Sequence, residues 1–127
     1  MGLLEALLIG GGGFLGSICR YLVDGRLVSL TGRALPWGTF SINVSGSVLL
    51  GVLFALLTER SLLPAALVEP VMLGFIGAYT TFSTLMLESW RLAQRGAWRG
   101  ALLNLGGSML IGLAAVLAGL VLGRALP

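Results

Sequence analysis

Four long apolar stretches, parted by short polar interruptions, account for almost the whole chain. They run from about Leu3 to Val23, Trp37 to Leu57, Leu63 to Leu87 and Gly100 to Gly123. Each reaches the roughly 20 apolar residues that an α-helix needs to cross a bilayer. The pattern therefore predicts an all-α membrane protein: a single four-span transmembrane domain over residues 1–127. The links read as a loop carrying Asp24, Arg26, Gly32, Arg33 and Pro36, a tight polar turn at Thr58 to Ser61, and an arginine-bearing connection after Trp90. Four spans bring both termini to one side. The first stretch has neither a basic start nor a small-residue cleavage site, so it reads as a span and not as a removable leader.

Polar and small residues recur at helical spacing inside these stretches. In the first, Gly12, Gly16 and Arg20 share one face. In the second, Thr39, Asn43, Ser47 and Gly51 form a stripe on an otherwise apolar helix. A polar group at bilayer depth is costly and usually has a task. Asn43 suits two tasks equally well on spacing alone: an interhelical hydrogen-bond clasp, or a pore-lining donor with two N–H groups. In the fourth stretch, Asn104, Ser108, Gly112 and Ala115 line up in the same way, with close helix packing as the favoured reading and Gly106-Gly107 easing the approach.

The third stretch carries the strongest signal. Gly74 to Thr84 reads GFIGAYTTFST, placing glycines and hydroxyls in mid-span. Gly77 and the Thr80-Thr81 pair disfavour a straight helix, since threonine hydroxyls compete for backbone bonds. Irregular backbone at membrane depth is tolerated only inside protein or beside a cavity, and carbonyls freed there are hard ligands for a cation. A packing kink is the plainer alternative. Phe82 follows directly, and the electropositive edge of its ring can face an anion.

Composition narrows the chemistry. Charged residues make up 10% of the chain and mean hydropathy is +1.00, against roughly 25% charged residues in soluble domains. All eight basic residues are arginine; His is absent and Cys19 is alone. That removes Ser-His-Asp and Cys-His nucleophiles, His-ligated metals and internal disulfides, so no enzyme is expected. Net charge is +3, a mild pull on anions. Arg91, Arg95 and Arg99 form a basic stripe if helix continues through them, most simply a solvated face beside lipid headgroups. Arginine counts favour placing the termini outside. Glu5, Asp24, Glu59, Glu69 and Glu88 all fall near span ends.

These residues resemble the Fluc/CrcB fluoride-channel family. GGFLGSICRY (Gly12 to Tyr21), PWGTFSINVSGS (Pro36 to Ser47), GFIGAYTTFST and the segment around Ser108 match it in all four spans, in order. The resemblance implies a fluoride-selective channel of the cell membrane, working as an antiparallel, dual-topology homodimer that lowers fluoride toxicity by passive export. It implies a broken third helix and a central structural sodium ion held by the backbone carbonyls of Gly77 and Thr80. Carried over, Asn43, Phe82 and Ser108 face the fluoride pathway, with Thr39, Thr81, Ser83 and Thr84 at the break or on a polar track. Arg20 lies toward the vestibule. The family usually places a second Phe after TTFST; this chain has Leu85.

Two other classes stay open at the level of sequence. A small proton-coupled multidrug or fluoride antiporter would want a mid-span carboxylate, which is not seen. A non-transporting membrane interaction subunit would use the glycine faces for assembly alone.

Overall fold

The computed structural model describes residues 2–127, whose regular elements are all helical. Its elements are α1 (Leu3–Thr31), α2 (Trp37–Leu53), α3 (Ala65–Glu69), α4 (Gly77–Tyr79), α5 (Phe82–Gln94) and α6 (Trp98–Ala125). A π-helical stretch, Phe54–Glu59, prolongs α2, and another, Pro70–Ile76, joins α3 to α4. By length and apolarity there are four membrane spans: Leu3–Thr31, Trp37–Glu59, Ala65–Gln94 and Trp98–Ala125. Large apolar side chains such as Leu4, Phe14, Leu103 and Leu110 are exposed on the outside. A bundle in lipid has no reason to hide them.

The helices outrun the apolar stretches. Asp24 and Arg26, expected in a loop, lie on α1, which continues to Thr31 and ends at Gly32 with φ +76°. Hydropathy tracks the thickness of the hydrocarbon layer; a helix stops only where its backbone is interrupted, here by Gly32 and Pro36. The third span likewise runs to Gln94, so Glu88 and Arg91 are helical. The expected arginine stripe does not form on one helix. Gly96, at φ +79°, turns the chain, and Arg99 belongs to α6.

Glycine sets how closely the spans approach. A Cβ on Gly12 or Gly16 would overlap the carbonyls of Pro70 and Phe75, so α1 lies directly on the π-helical stretch of the third span. Pro70 lacks an N–H and cannot complete a regular helix there. On the other side, Gly51 meets the backbone of α6 at Val116, while Gly119 and Gly123 meet α2 at Val48 and Val52. Gly106 and Gly107, by contrast, meet nothing within 4 Å. The expectation that they ease helix approach does not hold within this chain.

Beyond the membrane-facing ends, Arg124 closes the bundle onto Glu59 through Nη2–Oε1 (2.6 Å) and Nε–Oε2 (2.9 Å) contacts. Arg60 donates to the carbonyl of Arg124 at 2.6 Å.

Candidate functional site

The regular backbone of the third span gives way at two residues. Thr80 (φ −77°, ψ 158°) and Thr81 (φ −149°, ψ 118°) are extended between α4 and α5. In an unbroken helix the Thr81 N–H would close onto the carbonyl of Gly77. Here it donates to Asn43 Oδ1 at 2.8 Å, while Asn43 Nδ2 donates to the Thr81 carbonyl at 2.9 Å. The carboxamide replaces one missing turn of backbone bonding. Such compensation is needed because an unsatisfied backbone group in hydrocarbon costs several kcal/mol.

Other anchors hold the same segment. Tyr79 is buried, its hydroxyl lies 2.9 Å from Ser45 Oγ, and its ring and the Thr80 methyl pack where a side chain on Gly46 would stand. Thr80 Oγ1 donates back to the Ile76 carbonyl at 3.1 Å. Thr81 caps α5: its Oγ1 accepts from the Thr84 N–H at 3.3 Å, donates to Thr84 Oγ1 at 3.1 Å and lies 3.3 Å from Ser83 Oγ. Ser83 and Thr84 thus belong to a hydroxyl cluster at the start of α5.

A cleft of about 250 Å³ opens beside this segment, lined by Asn43, Ser47, Thr80, Thr81, Phe82 and Ser108 among others. Ser108 is 6% exposed, and its hydroxyl has no hydrogen-bond partner among the described residues. A buried hydroxyl without a partner costs about 1–3 kcal/mol, so something polar is called for in the cleft. Asn43 keeps one N–H beyond the one given to Thr81. Phe82 is 65% exposed along the opening, and Leu85, where the resemblance expects a second ring, is buried in the lining. The cleft therefore presents neutral donors and one ring in an otherwise apolar wall, a surface suited to a small anion shorn of water.

One turn before Asn43, buried Thr39 donates to Glu88 Oε1 at 2.9 Å. Glu88 Oε2 is buried and unpartnered among the described residues. Hydropathy falls at Glu88, so the sequence alone places it near a span end. Its helical spacing from Thr81 and Thr84 was the available sign that it shares their face. Asn104 reaches Ser89 Oγ at 2.9 Å, tying α6 to α5. Arg20 approaches the same interruption from α1, its Nη1 3.4 Å from the Thr80 carbonyl.

Two backbone carbonyls bear on cation binding. Gly77 has lost its helical donor to Asn43, and Thr80 is turned out of helical geometry. A side chain on Gly77 would meet nothing within 4 Å, so that face is open. Neutral oxygens of this kind suit a hard cation. Among the described residues no cluster of three or more His, Cys, Asp or Glu offers an alternative.

Residues 7–120 match the family model described as CrcB-like protein, Camphor Resistance (CrcB). The fluoride-specific ion channel FluC of Magnetococcus marinus is 46% identical over 113 residues, covering 89% of this chain and 92% of the relative. Its namesake in Maridesulfovibrio salexigens is 43% identical over 118 residues, covering 93% and 94%. The fluoride-specific ion channel FluC 1 of Symbiobacterium thermophilum is 43% identical over 121 residues, covering 92% and 95%.

Proposed function

Because this chain belongs to the CrcB-like family, we infer that it is a fluoride-selective channel that lets fluoride leave the cytoplasm passively. The observation that carries this reading is the buried, unpartnered Ser108 hydroxyl facing a cleft shared with Asn43 and Phe82. Fluoride is small and holds water tightly; donors must replace that shell while letting the ion go. Asn43 and Ser108 supply N–H and O–H groups, and Phe82 supplies a ring edge; Thr39, expected among the donors, donates its hydroxyl hydrogen to Glu88 and lies off the cleft. Thr81, Ser83 and Thr84 continue the hydroxyl surface toward Glu88.

The driving force needs no fuel. Hydrogen fluoride enters as a neutral acid and loses its proton in a near-neutral cytoplasm. An inside-negative potential of the cell membrane then drives the anion outward by about 2.3 kcal/mol per 100 mV. No catalytic step is involved.

The working unit in this reading is an antiparallel homodimer with dual topology. Two observations support a second copy: the outward-facing cleft, one side of which is open, and the exposed backbone at Gly77. Gly77 and Thr80 would supply carbonyls to a sodium ion between the copies. Two oxygens are too few for a hard cation, which takes about six. A bound cation fixes the interface and offsets the desolvation of nearby anions. The interrupted third span is then the device that exposes these carbonyls.

The test is efflux from protein-loaded liposomes read with a fluoride electrode, with valinomycin carrying the countercharge. Fluoride should leave and chloride should stay. Efflux that needs a pH gradient would point to an antiporter, and no efflux to an interaction subunit.

A further inference from the structure

A second cavity, of about 190 Å³, lies at the far end of this polar face, and nothing above assigns it a task. It is walled by the end of α1, the α1–α2 link, the start of α2 and the last turns of α5. Arg33, Arg91 and Arg95 line it together with Asp24 and Glu88. Among the described residues none of these three arginines makes an ion pair; the pair found is Glu59 with Arg124. Asp24 is already placed, its carboxylate against Gly38 at the first turn of α2, where the helix dipole favours a negative charge. Glu88 is engaged with Thr39. Three guanidiniums thus face two carboxylates in a partly enclosed polar space, which leaves a positive excess, and low-dielectric walls focus such a field.

We propose that this cavity is an anion-capture antechamber, in which Arg33, Arg91 and Arg95 concentrate fluoride, still hydrated, before it passes toward Asn43 and Ser108 and sheds its water against their donors. The proposal rests on the channel reading above. Size supports it: at about 30 Å³ per water the cavity holds roughly six, enough for a small ion with its shell. Position supports it too. Glu88 and Gly38 line the cavity, Thr39 hydrogen-bonds Glu88, and Asn43 lies one helical turn further along α2. The arginines act by charge at a distance and touch no dehydrated ion. They raise the capture rate and leave the narrow part of the path unaltered.

The test compares wild type with the triple variants Arg33→Gln/Arg91→Gln/Arg95→Gln and Arg33→Lys/Arg91→Lys/Arg95→Lys in liposomes. Permeability is measured at low and at saturating fluoride, in low and high salt. Low-concentration permeability is the same in both directions, so random insertion does not mask the effect. All three side chains are exposed, and size-exclusion profiles check that the variants fold. At ~10 mM salt, where the Debye length is about 30 Å, the glutamine variant should lose about threefold to tenfold at low fluoride. At ~1 M, where that length is about 3 Å, the loss should shrink below about twofold. Saturating flux should be unchanged, and the lysine variant should match wild type. A glutamine variant with wild-type permeability at low salt, or one that loses saturating flux equally, overturns the antechamber while leaving the channel reading intact. A wild-type protein without fluoride flux brings down both.

Discussion

The side chain of Asn43 and the peptide of Thr81 form a closed pair, with N–H to O distances of 2.9 and 2.8 Å in opposite directions. A side chain on one span thus completes the backbone of another, which is the clasp foreseen for Asn43, and one Nδ2 hydrogen is left over for the donor role proposed above. Asn43→Asp removes the Nδ2 donor and sets a carboxylate against the Thr81 carbonyl. The expected result is loss of fluoride efflux together with about 1–3 kcal/mol of stability, the cost of a broken buried bond. Electrode-read efflux and thermal unfolding in detergent check the two parts separately. Wild-type efflux would falsify the role.

Ser108 separates stability from conduction. Its hydroxyl has no protein partner to lose among the described residues, so Ser108→Ala should leave the melting temperature unchanged or raised, by up to about 1–3 kcal/mol of stability. Fluoride efflux should nevertheless fall several-fold, because a donor leaves the cleft. Unchanged efflux would mean that the ion does not use this hydroxyl.

Close packing makes a different prediction. At Gly16 and Gly119 an added Cβ runs into backbone, the Phe75 and Val48 carbonyls respectively. Backbone in a packed bundle does not yield as a flexible side chain does. Gly16→Val and Gly119→Val should each cost at least about 1–3 kcal/mol and reduce the folded protein recovered in detergent. Gly25, on α1 with nothing within 4 Å of its Cβ position, is the control: Gly25→Ala should stabilise by about 0.5–1 kcal/mol through helix propensity. Equal behaviour of the three variants in thermal unfolding would refute the packing argument.

The same contrast explains what could be read without coordinates. Four spans were legible because twenty apolar residues in a row have few other uses, and the faces of Gly12, Gly16 and Arg20 or of Thr39 and Asn43 follow from helical period alone. The end of α1 was not legible: Asp24 and Arg26 are polar, and polarity marks the membrane boundary whereas Gly32 and Pro36 mark the helix boundary. The partner of Asn43 was also hidden, since spacing shows which residues share a face but not what that face meets. Gly106 and Gly107 show the limit from the other side: two glycines in a span signal close approach, yet within this chain they approach nothing.

Sodium removal tests the carbonyl site without reference to transport. Gly77 lacks its helical donor and Thr80 is extended, so both oxygens would gain from a cation between the two copies of the proposed dimer. A ligand that binds only the assembled state stabilises it by mass action, about 2.7 kcal/mol at a hundredfold excess over Kd. Replacing sodium with N-methylglucamine at constant ionic strength should therefore lower the unfolding temperature of the dimer and shift it toward monomer on size exclusion. Arg20, whose guanidinium lies 3.4 Å from the Thr80 carbonyl, repels a cation placed there; Arg20→Gln should shift the sodium titration of the unfolding temperature to lower concentration. Unfolding temperatures that are identical in the two salts would remove the cation from this interface.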